Sequence, residues 1–193
     1  PGLRMIHSPK FTVVIDACVL YPAPIRDILL SMASEGLLKP KWSSIIHDEW
    51  TRNLLINRPD LEKEQLNRTI HAMNQAFPDS NVENFEELIP SLNLPDKNDR
   101  HVLACAIKCK ADLITTINLK DFPAEKITKY DIQVQHPDEL ICNLIDLDEK
   151  LACNAFEKMV NRLKNPPKTK SEVVMTLIRC DLTKSAKRLR KIC

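Results

Sequence analysis

The run FTVVID at residues 11–16 constrains the fold more than any other stretch of this chain. A nearly continuous β-branched segment closed by an acid reads as a strand buried on both faces, and such strands belong to parallel sheets covered by helices. ADLITTI (111–117) and DIQVQH (131–136) repeat the signal, and LLKPKWS is a weaker strand candidate. Between them the apolar spacing predicts helices. One covers PIRDILLSMASEG, with Pro24 near its first turn and Gly36 just past its end. Others cover 43–58, capped by Ser43 or Ser44, then 59–77 and 96–110. FEELIPSLNLP is ambiguous between a short strand and a loop. Strands alternating with helices give an α/β fold, a central mostly parallel sheet flanked by helices on both faces. In such sheets, sites form beyond the carboxyl ends of the strands.

Composition removes several classes. A chain of 193 residues, 44% hydrophobic, can bury a core without disulfides or a metal. A net charge of +2 with ordinary apolar content argues against disorder. Two glycines against 13 prolines argue against glycine-rich phosphate loops and hairpin-dense all-β folds. No apolar run reaches the roughly 18 residues of a membrane span, and no signal-peptide pattern opens the chain, so a cytoplasmic protein is expected. Met5 is the expected natural start. The seven cysteines form no CxxC pair and are expected as reduced, buried thiols. Cys105 and Cys109 lie one helical turn apart, but no second pair of ligands at finger-like spacing supports zinc there.

Near residue 137 the character changes. One helical pattern over 137–165 leads to a Pro166–Pro167 break, SEVVMTLIRC and a basic tail. Residues 1–137 carry 16 basic against 18 acidic side chains, and residues 138–193 carry 12 against 8. The expected organisation is a body over 1–137 and a helical extension over 138–193.

Four carboxylates stand where a soluble core gains nothing from them. Asp16 ends the first strand, and Asp121, in TTINLKDF, follows the strand ADLITT. Glu49 shares a helix face with Ile46, Trp50 and Asn53. Asp96 and Asp99, three residues apart in LPDKNDRHVL, open the helix expected over 96–110. Each alone has an ordinary reading. Asp96 is a helix cap with Asp99 favoured by the helix dipole; Asp16 and Asp121 start turns; Glu49 pairs with Arg52 or Arg26. Together they converge on one rim if the strands of Asp16 and Asp121 are neighbours. Gathered carboxylates repel, by on the order of 1 kcal/mol per pair at ~4 Å in water, and persist if a cation or protons neutralise them. An all-oxygen set without histidine or thiolate suits Mg²⁺ or Mn²⁺, ions suited to phosphodiester hydrolysis.

VVIDACVL, the inward Glu49, PDKNDRHVLACAI and ADLITTINLKDF, in this order, resemble the PIN domain, especially its prokaryotic VapC-like toxin subgroup. The resemblance runs over about residues 10–136. It implies a PIN-like fold and a metal-dependent ribonuclease site in which Asp16, Glu49, Asp99 and Asp121 are catalytic and hold the metal, with Asp96 a further ligand or support. Asp16 and Asp99 would be the central ligands. Thr116 and Asn118 fall at polar positions of the same loop, where they hold the acid or a phosphate, or satisfy the loop backbone. As a toxin, the protein would have a cognate antitoxin.

The chain departs from that pattern in the extra helical stretch between Glu49 and Asp96, for which packing is the safer reading. His47, His71, His101 and His136 lack metal-ligand spacing and are expected at the surface or behind the ligands. Trp42, Trp50 and Tyr21 are expected in the core rather than stacked on bases. The extension packs on the body, dimerises, or binds RNA through basic residues such as Lys187 and Arg188. The leading expectation is a Mg²⁺- or Mn²⁺-dependent endoribonuclease. Its alternatives are a non-catalytic PIN-like RNA-binding or scaffold module and, more remotely, a phosphotransfer protein. A phosphatase of the haloacid-dehalogenase kind needs a second Asp where Cys18 stands.

Overall fold

Val13, Val14 and Ile15 have no exposed surface, as a strand covered on both faces requires. They form β1 (Phe11–Ile15) in a computed structural model that describes residues 11–193; the expected start at Met5 lies outside the described residues. With β2 (Leu38–Lys41), β3 (Leu113–Thr115) and β4 (Gln133–Gln135), β1 builds a sheet of order β2-β1-β3-β4. All three pairings are parallel. Pro40 is tolerated in β2 because that strand is an edge of the sheet.

The helices of the body are α1 (Ala17–Leu20), α2 (Ala23–Ser34), α3 (Ser44–Asn57), α4 (Lys63–Ala76), α5 (Arg100–Lys108) and α6 (Ala124–Ile127). Ser43 caps α3 by accepting from the Ile46 N–H at 3.3 Å. Gly36, at φ 85°, turns the chain from α2 into β2, a conformation open to glycine at no steric cost. Both tryptophans are fully buried, so neither is available to a base.

Several expected boundaries move. The helix expected from residue 59 begins at Lys63, because Glu62 and Gln65 form a reciprocal cap there. The helix expected over 96–110 opens as a 3₁₀ turn, Lys97–Asp99, and becomes α-helical at Arg100. FEELIPSLNLP contains a 3₁₀ turn over Glu86–Ser91, with Pro90 inside it, and no strand. The single helical pattern over 137–165 is two helices, α7 (Pro137–Leu147) and α8 (Glu149–Arg162). They part at Asp148, whose extended backbone at φ −157° frees its carboxylate to cap α8 at the Leu151 N–H, 2.9 Å away.

The chain ends in α9 (Lys170–Arg179) and α10 (Thr183–Ile192). Ala152, Phe156, Leu177 and Leu189 from α8, α9 and α10 join the same hydrophobic cluster as Val13 and Ile28 of the body. α8 lies along α2, where Arg162 donates to Ser31 Oγ at 2.6 Å and Lys158 pairs with Glu35. Asp138 of α7 is buried and caps α10 across the interface. Its carboxylate accepts from the Lys184 N–H (3.0 Å), the Ser185 N–H (2.8 Å) and Ser185 Oγ (2.6 Å). Cys153 and Cys193 are paired as a disulfide with Cα atoms 5.5 Å apart, so these two depart from the expectation of free thiols. Cys105 is buried inside α5, and no described group around it or Cys109 could hold zinc.

Candidate active site

The site grows out of the strand ends. The Asp16 N–H donates to the Thr115 carbonyl (3.1 Å), and the Thr116 N–H donates to the Gln135 carbonyl (3.1 Å). The ladder thus carries β1, β3 and β4 to one carboxyl edge, with Asp16 and Thr116 side by side. Asp16 is 4% exposed. One of its oxygens accepts from the Ala17 N–H at 2.6 Å, the other from Thr116 Oγ1 at 2.7 Å and from the Cys18 thiol at 3.1 Å. Burial raises its pKa, against the hydrogen bonds from Thr116 and Cys18; the charge of Glu49 raises it further. Asp16 therefore starts a helix, as a turn-forming aspartate would, while also standing in a like-charged field.

Asp99 differs. It opens α5, yet its side chain caps nothing. Its carboxyl is pushed up to about 7, by burial first and then by the charges of Asp16, Asp96, Asp121 and Glu49. Five acids from four separate stretches of chain thus act on one point. Asp96 is exposed and caps its own 3₁₀ turn through the Asn98 N–H at 2.8 Å, the ordinary role expected of it. Asp121 closes a 3₁₀ turn over Leu119–Asp121, whose N-cap is Asn118.

Glu49 pairs with neither Arg52 nor Arg26. Its Oε2 lies 3.1 Å from His101 Nε2, on the first turn of α5. Arg26 instead lies over the Trp50 ring, 4.9 Å from its centroid, and donates to the Leu20 carbonyl. His101 and His47 are both buried rather than at the surface, and His101 stands behind Glu49, the other position expected of these histidines. Burial pushes the His47 imidazole down to about 4.

Two residues of the site carried no signal of their own. Cys18 donates to Asp16, accepts from the Ile117 N–H at 3.3 Å and touches Thr116 Oγ1 at 3.3 Å. Its thiol is pushed up to about 12 by burial, then by the charge of Asp16. His101 is 52 residues from Glu49, and no periodicity links them. Thr116 is buried and holds both Asp16 and the Asn118 N–H (3.0 Å), so it serves the acid and the loop backbone together. Asn118 itself is exposed. Lys187 is exposed, while Arg188 is tied to Asp146 and to the Cys142 carbonyl, 3.2 Å away.

The donors around Asp99 are oxygens, the type that suits Mg²⁺ or Mn²⁺. Their mutual repulsion at Asp99 is what a bound cation would relieve. Among the described residues, however, no three His, Cys, Asp or Glu side chains stand close enough to hold a metal ion. The chemistry of the donor set fits such an ion; the spacing is that of an open cluster.

Comparison with known proteins agrees with this architecture. A PIN domain model matches residues 12–120, and a model described as the VapC50 C-terminal domain matches residues 137–191. The Mycobacterium tuberculosis protein named "Putative ribonuclease VapC50" is 38% identical over 85 residues, 44% of this chain and 50% of that protein. The chain thus spans about half the length of the curated relative it matches. No solved structure matches. With the PIN model covering more than half of its length and Asp16, Glu49, Asp96 and Asp99 inside the match, the chain belongs to the PIN-domain family, in its VapC-like branch.

Proposed function

We propose that this protein is a divalent-metal-dependent endoribonuclease, the toxin of a toxin–antitoxin pair, acting in the cytoplasm with Mg²⁺ or Mn²⁺. The observation that carries the reading is Asp99, a side chain with no capping role, held where burial and then four other carboxylates raise its pKa. A fold does not sustain such a cluster for stability, and like-charged acids gathered beside strand ends are typical of functional sites. Membership of the PIN family, and a relative named as a ribonuclease, supply the reaction class.

Asp16, Glu49, Asp99 and Asp121 would hold the ion, with Asp96 at the margin. When bound, such an ion supplies a Lewis acid for the phosphoryl oxygens and lowers the pKa of water. The chain's own residues prepare that site. Thr116 and Cys18 fix the carboxylate of Asp16 from two directions. His101 fixes Glu49. The exposed Asn118, beside the acids, offers an amide to the RNA backbone. Residues 1–137 would be the nuclease unit and 138–193 its extension. A cognate antitoxin would occlude the acidic rim.

Cleavage of single-stranded RNA with Mg²⁺ or Mn²⁺ tests the proposal. EDTA should abolish it. Asp16→Asn should lower it by on the order of a hundredfold or more, since every 1.4 kcal/mol of lost charge stabilisation is about tenfold in rate. Full activity after exhaustive chelation, or in Asp16→Asn, would end the nuclease reading and leave a PIN-like RNA-binding module.

A further inference from the structure

We infer that the outer face of α10 is a phosphate track for single-stranded RNA, entering the site from the carboxyl edge of the sheet. This rests on the ribonuclease reading and extends it to substrate binding. Lys184, Lys187 and Lys191 fall at i, i+3 and i+7 of α10, with Arg190 beside them, and all four are exposed. None has an acidic partner within salt-bridge distance among the described residues, whereas Lys158, Lys170 and Arg188 do. Arg188 belongs to the fold, because its guanidinium is spent on Asp146 and the Cys142 carbonyl. It is removed from the expected RNA contacts.

The placement of the stripe matters as much as its charge. Gln135 receives the Thr116 N–H at the catalytic edge, and three residues later Asp138 holds the first turn of α10 through the Lys184 and Ser185 N–H groups. The amino end of the stripe is therefore anchored to the rim, and the stripe runs from there for the helix length of about 15 Å. An unpaired basic row needs an anionic partner to neutralise it. A lipid surface is disfavoured, because the apolar face of α10, with Ala186 and Leu189 fully buried, is spent on α7 and α9 and leaves nothing to insert. A polyanion lying along the helix matches the geometry, and next to a phosphodiesterase site that polyanion is the substrate.

The test is the full chain with Lys184, Lys187, Arg190 and Lys191 all changed to Gln. These side chains are exposed, so the fold should survive; a matched variant with the three lysines changed to Arg controls for that. Binding of a fluorescent 20-nucleotide single-stranded RNA is measured by anisotropy in EDTA across a salt series. The Gln variant should flatten the salt slope by about 0.7 for each lost phosphate contact, roughly 2–3 in all, and the Arg variant should not. With Mg²⁺, the KM for the 20-nucleotide RNA should rise at least tenfold more than the KM for a dinucleotide. An unchanged slope and KM would overturn the track, and so would a loss of binding seen on phosphatidylglycerol vesicles but not on RNA. If no protein cleaves RNA yet the slope still flattens, the track stands and the nuclease reading falls. If cleavage persists with an unchanged slope, the reverse holds.

Discussion

Aspartates do opposite work in two regions of this molecule. At the interface of α7 and α10, Asp138 accepts three hydrogen bonds and Asp146 pairs with Arg188. Each charge there has its donors, and the contacts fasten the extension to itself. At the carboxyl rim of the sheet, Asp99 makes no capping hydrogen bond, has no side-chain donor among the described residues, and feels the charge of four other acids. The first arrangement stabilises the fold; the second costs stability and is kept by the packing of β1, β3 and α5 around it. A carboxylate's role is set by what the fold brings to it, not by its residue type.

The contrast can be broken by removing one acid from each region. Asp138→Ala should be the most damaging to stability, since it leaves the Lys184 and Ser185 N–H groups and the Ser185 hydroxyl without their acceptor. A loss of about 1–3 kcal/mol is expected for such unsatisfied buried groups, read as a lower urea midpoint. A midpoint equal to wild type would mean that α10 is not held by this cap.

Within the rim, His101→Ala sharpens the comparison. Losing the partner that orients Glu49 should lower Mg²⁺-dependent cleavage about 10–100-fold, the usual effect of removing support for a ligand. His101→Gln, which keeps a donor, should recover part of it. Equal activity in both variants would make the contact incidental.

Asp99→Asn should have the smallest effect on stability and the opposite sign to Asp138→Ala. The folded value of about 7 lies above the ordinary 3.8, so the folded metal-free protein keeps a proton that the unfolded chain releases. The stability tied to that proton is fully present below about pH 4 and is lost as pH rises towards 7. Asp99→Asn removes the loss, so at pH 8 it should be more stable than wild type by on the order of 1 kcal/mol, the group being half exposed and screened. At pH 4 the two should coincide. Urea melts in EDTA at both pH values decide, and a variant less stable at pH 8 would mean that Asp99 has a structural partner after all.

The carboxylates were legible in the sequence because strand ends and helix starts are local signals. FTVVI has to become a buried strand, so the acid after it has to emerge at an edge, and the same holds for the acid following ADLITT. Their partners were not legible. His101 lies 52 residues from Glu49, and Asp138 lies 46 and 47 residues from the two N–H groups it caps. The break at Asp148 was hidden for another reason. The apolar spacing of α7 runs on into α8 and masks the local cap that Asp148 forms at the Leu151 N–H.

The sequence by itself determined the parallel α/β fold, the four acids and the basic tail, because period, β-branching and charge act between near neighbours. Tertiary structure alone decided which strands stand side by side, that Arg188 is engaged by Asp146 and the Cys142 carbonyl while Lys184, Lys187, Arg190 and Lys191 have no acidic partner among the described residues, and that Asp99 feels Asp16, Asp96, Asp121 and Glu49 together. Repulsion and pairing depend on distances of a few ångströms between groups far apart in the chain, and those distances exist only once the core has closed.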